Sequence, residues 1–79
     1  MVEGLLLIQE QKEESVNEES LRAVSLTNAK QLVVGQAPGG RTILHVAATS
    51  LADLKNAILG LAQVPGVADV LILTLQIRQ

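Results

Sequence analysis

The residues whose types could do chemistry are few: one histidine, His45, and one arginine that follows two glycines, Gly39-Gly40-Arg41. A guanidinium beside backbone N–H groups that glycine leaves open can hold an anion. Gly35, Gln36, Gly39, Gly40 and Arg41 therefore form the candidate ligand-binding stretch. His45 could read pH or reach the same ligand from a sheet surface. The same residues also satisfy plainer demands, because a hairpin turn needs glycines for its geometry and a strand histidine can sit at a contact between copies. No Gly-x-x-x-x-Gly-Lys-Ser/Thr is present, which excludes a nucleotide P-loop.

Catalysis asks for a nucleophile with a base and an orienting acid, or for two carboxylates in a dry cleft. No serine or threonine here has a glycine elbow around it, and one histidine would have to fill every role. The chain has no cysteine, which removes disulfides, thiolate nucleophiles and iron–sulfur clusters. The expectation is a non-enzyme with no cofactor and no metal. Five glutamates, Glu10, Glu13, Glu14, Glu18 and Glu19, lack the alternating oxygen ligands and turn glycine of a calcium loop, and read as a solvated acidic stretch.

Phe, Tyr and Trp are absent while 48% of residues are apolar, so the core must be aliphatic. With no ring for bases to stack on and a net charge of −2, nucleic-acid binding by this chain alone is not expected. The runs Leu5-Leu6-Leu7-Ile8 and Val70-Leu71-Ile72-Leu73 are far short of the roughly 20 residues a membrane span needs. A cytoplasmic location without membrane contact is the expectation. At 79 residues the chain suits a single domain, 1–79. A domain this small has a thin stability margin, which oligomerisation commonly supplements.

Those candidate residues must be held by elements that the patterning predicts. An apolar run over 4–10 suits a buried strand, and Ser15-Val16-Asn17-Glu18 has the spacing of a capping box that opens a helix. Leu21, Val24 and Asn28 keep helical spacing, although 21–27 also fits a strand. Two β-rich runs, 32–37 and 41–48, flank Pro38-Gly39-Gly40 as a hairpin. Ser50 with Asp53 caps a second helix carrying Leu51, Leu54, Ile58 and Leu61, which Pro65-Gly66 stops. A last strand over 67–78 places Leu71, Leu73, Leu75 and Ile77 on one face. The order βαββαβ predicts an α+β, ferredoxin-like sandwich: a four-stranded antiparallel sheet with two helices on one face, strands one and three central.

The helix-free face of that sheet also reads as apolar, with Ile43, Val70 and Ile72 the candidate oligomer-interface residues. An open antiparallel sheet normally alternates apolar and polar residues, so a second copy is expected to cover it.

Thr42-Ile43-Leu44-His45-Val46 through Ser50-Leu51-Ala52-Asp53-Leu54, then Leu61-Ala62-Gln63-Val64-Pro65-Gly66-Val67-Ala68-Asp69-Val70, resembles the second half of small-molecule-sensing α/β domains. It is similar to ACT domains and to the effector-binding domain of leucine-responsive (AsnC-type) regulators, and Val34-Gly35 is similar to the latter pattern. The resemblance implies a ligand-sensing regulatory domain that binds a small metabolite between copies. The Ala37-Pro38-Gly39-Gly40 hairpin and the Pro-Gly-Val turn also resemble the small ferredoxin-like chaperone of periplasmic nitrate reductase. That likeness implies an assembly factor that binds a peptide along its sheet. A structural oligomer without ligand is the third expectation.

Overall fold

The structure, a computed structural model, describes residues 1–78. Its elements run β1 (Val2–Glu10), α1 (Glu18–Asn28), β2 (Gln31–Gln36), β3 (Thr42–Ala48), α2 (Leu51–Leu61) and β4 (Val67–Ile77). All strand pairs are antiparallel and the sheet order is β2-β3-β1-β4. This is the ferredoxin-like α+β arrangement, with the two hairpin-free crossovers each carrying one helix.

One face of each central strand meets the helices. Val2, Leu6 and Ile8 of β1 and Leu44, Val46 and Ala48 of β3 are buried in the core with Leu21 of α1 and Leu54 and Leu61 of α2. Each fully buried leucine contributes roughly 1.5–3 kcal/mol, so aliphatic packing alone carries the core. Gly60 lets the helices come close: a Cβ there would lie 2.8 Å from Val24 Cγ1, too near without a shift of that side chain.

α1 begins at Asn17 rather than at Ser15. The Asn17 side chain accepts from the Glu19 N–H at 2.8 Å, and Glu18 and Glu19 occupy the first turn, where carboxylates favour the helix dipole. Residues 21–27 are helical, which settles the strand alternative. α2 is capped as its sequence suggests, with the Asp53 N–H donating to Ser50 Oγ at 3.2 Å.

β4 departs from the simple alternation read in its sequence. Ile8 faces Val70 and Leu6 faces Ile72, but Leu5 faces Thr74, so one extra residue, Leu73, is inserted as a β-bulge. The bulge flips the faces beyond it. Leu71 lies on the helix-free face with Leu7, whereas Leu75 and Ile77 pair with Gly4 and Val2 on the helix side. Leu71, Leu73, Leu75 and Ile77 thus do not share one face. Val70 and Ile72 also stand on the helix side, and Val70 packs against the core.

Candidate functional site

The hairpin between β2 and β3 closes with the Ala37 N–H donating to the Arg41 carbonyl at 2.7 Å and the Gly40 N–H to the Ala37 carbonyl at 3.1 Å. Gly39 and Gly40 have φ of +86° and +77°, a region that side chains with a Cβ rarely adopt. This turn brings Gly39, Gly40 and Arg41 beside the end of β1 and the start of β4. Together with Ile8, Gln9, Glu10 and Ala68 they line an open cleft of about 430 Å³. A volume of that size lies within the range that small ligands occupy. Arg41 and Glu10 are the charged residues of this lining, and among the described residues Arg41 forms no ion pair.

Gly35 and Gln36 lie on β2 opposite Ile43 and Thr42, one step back from the cleft, and are not among its lining residues. His45 is elsewhere. It sits on the helix-free face in the row Val33–His45–Leu5–Thr74, with Nε2 3.4 Å from Glu3 Oε1. Arg78 Nε approaches the other oxygen, Glu3 Oε2, at 2.6 Å as an ion pair without an aligned hydrogen bond. Glu3, mostly buried, is therefore held between two basic side chains that no local spacing rule joins to it.

Ile43 lies on the helix-free face as expected, in the row Gly35–Ile43–Leu7–Leu71. That face is less bare than its sequence suggests: Leu7 is only 8% exposed and Ala47 is fully buried, shielded within the sheet. Val33, on edge strand β2, stays exposed there, and a second apolar surface lies on the other side, where α2 leaves edge strand β4 partly uncovered. Leu51, Leu54, Lys55, Ile58 and Leu59 of α2 with Ile72 and Leu75 of β4 line a groove of about 240 Å³. Leu51, Leu59, Ile72, Leu75 and Ile77 are each about half exposed. Sequence reasoning missed Glu10 and Ala68 in the cleft because strand ends meet there only after the sheet is ordered. It missed the groove because the bulge that puts Ile72 on the same side as Leu75, beside α2, has no sequence mark.

Among the described residues no group of three or more His, Cys, Asp or Glu is placed to hold a metal ion, and no helix is long and apolar enough to cross a membrane. Compared with known proteins, the chain matches no family model, no curated protein and no solved structure.

Proposed function

We propose that this chain is a non-catalytic regulatory domain that senses a small ligand and acts as a homo-oligomer. The observation that carries the reading is the hairpin-end cleft, where Gly39, Gly40 and Arg41 meet Gln9 and Glu10 from a segment about thirty residues away. The two glycines keep the wall free of side chains, and Arg41 offers a forked donor to a carboxylate or phosphate. Glu10 disfavours a purely anionic ligand and favours one that carries an ammonium as well, such as a small zwitterion. Regulation follows by population shift: a ligand bound more tightly in one assembly state draws the protein into it.

Calorimetric titration with a panel of amino acids, dicarboxylates and inorganic phosphate tests the reading. A zwitterion is expected to bind, and Arg41→Ala to weaken it about tenfold or more, as loss of a charge-assisted contact does. Binding that is indifferent to Arg41→Ala, or no binding by any class, removes the cleft as the site. The second reading, a peptide-binding assembly factor, draws on the unpaired outer edge of β4. It requires a monomer that captures extended chains.

A further inference from the structure

We infer that the partner of this chain is a second copy, joined edge to edge through β4 in one antiparallel register: Val70 opposite Ile77, Leu71 opposite Gln76, Ile72 opposite Leu75, and Asp69 opposite Arg78. The inference deepens the oligomeric part of the reading above and rests on it, but it does not require a ligand in the cleft.

The first support is where β4 points its backbone. The Met1 nitrogen donates to the Arg78 carbonyl at 2.7 Å and the Arg78 N–H to the Met1 carbonyl at 2.8 Å. That mutual exchange marks a hydrogen-bonded pair, and such pairs alternate along antiparallel strands. By the register, Gln76, Thr74, Leu71 and Asp69 then turn their backbone groups inward to β1, while Ile77, Leu75, Ile72 and Val70 turn theirs outward. The Val70 N–H agrees: it has only its neighbour's side chain, donating to Asp69 Oδ1 at 2.8 Å. The bulge at Leu73 keeps all four outward residues on the helix side.

The second support is self-complementarity. A two-fold axis between Leu73 and Thr74 pairs the outward residues only with each other, so Val70 with Ile77 and Ile72 with Leu75 can each exchange both backbone bonds. On the helix side the pairs are apolar, Val70 with Ile77 and Ile72 with Leu75. On the other side Asp69 stands opposite Arg78, whose Nε already pairs with Glu3 of its own chain, so this contact adds a second carboxylate to a guanidinium in use. A shift by one residue would set helix-side residues against residues of the opposite face. The product is a continuous eight-stranded sheet with all four helices on one side, and Leu51 and Leu59 of each copy border the seam.

Size and edge chemistry favour this edge and this occupant. β4 has 11 residues, about 36 Å of strand, which gives a long edge for a second copy to pair with. β4 carries no lysine or proline to blunt pairing and only Asp69 as a charge, whereas β2 is six residues long.

The absence of cysteine gives a clean test. Leu71→Cys and Gln76→Cys, made as separate proteins and mixed under mild oxidation, should form a disulfide between chains, because the pair is a non-hydrogen-bonded one with Cα atoms about 4.5 Å apart. Leu71→Cys mixed with Thr74→Cys should not. Leu75→Lys should keep its circular dichroism spectrum, since Leu75 is half exposed in the single chain, and should weaken dimerisation about tenfold or more in sedimentation. Cross-linking by the Thr74 mixture instead, a monomeric wild type in sedimentation, or a monomer that carries a bound extended peptide on β4 would each overturn the inference.

Discussion

Ser25 is fully buried on the core side of α1, and its hydroxyl has no hydrogen-bond partner. A buried, unbonded hydroxyl costs about 1–3 kcal/mol, and alanine is also the better helix former. Ser25→Ala should therefore raise stability by about 1 kcal/mol in urea unfolding. A loss of stability would show that the hydroxyl is bonded in solution. Gly39 is the opposite case, a residue whose identity is dictated by backbone geometry rather than by packing, since nothing lies within 4 Å of where its Cβ would be. With φ at +86°, Gly39→Val should cost about 1–3 kcal/mol, while exposed Gln36→Ala stays within about 0.5 kcal/mol. Equal unfolding midpoints for the two variants would count against the turn. The glycines of this hairpin were legible because Pro-Gly-Gly between two β-rich runs admits few other conformations. Their neighbours in the cleft, Glu10 and Ala68, were not, because no local rule links positions 10, 41 and 68.

At the scale of elements, the start of α1 shows where local rules compete. Ser15-x-x-Glu18 has the spacing of a capping box, yet the residue that caps the helix is Asn17. The structure selects Asn17 because residues before it are held by the start of β4: the Gln11 N–H donates to the Gly66 carbonyl at 2.8 Å, and the Ser15 carbonyl lies 3.2 Å from where a Gly66 Cβ would sit. The backbone of Ser15 thus runs against the turn before β4 and lies outside the helix. Asn17→Ala should cost about 1 kcal/mol and Ser15→Ala close to nothing, as read by thermal unfolding. The reverse ranking would return the cap to Ser15. Element order and the hairpin followed from periodicity and turn residues, and the sheet order from handedness. The bulge at Leu73 did not, because Leu71-Ile72-Leu73-Thr74 contains no glycine or other break in an alternation that assumes period two. That single inserted residue is why Val70 and Ile72, expected on the helix-free face, stand on the helix side together with Leu75 and Ile77.

The consequence for the whole molecule is a change in which surface asks for cover. A sequence read in strict alternation makes the helix-free face the greasy one, with Ile43 at its centre. The structure shields Leu7 and Ala47 on that face and leaves Ile72, Leu75 and Ile77 about half exposed beside α2. Burying the exposed half of several such side chains, at roughly 1 kcal/mol each, is a large sum against the thin margin of a 79-residue domain. If assembly supplies that margin, folding and association are linked, and the unfolding midpoint should rise with protein concentration. For a dimer that unfolds to two chains, each tenfold increase adds about 1.4 kcal/mol per dimer, or about 3–5 °C for chains of this size. Ile72→Lys places a charge in the seam and should flatten that dependence. Ile43→Lys, on the helix-free face, should preserve it. Scanning calorimetry over a hundredfold range of concentration separates the two surfaces: a slope lost only in Ile43→Lys assigns assembly to the open face, and a wild-type midpoint that does not move with concentration removes self-association from the account of this fold's stability.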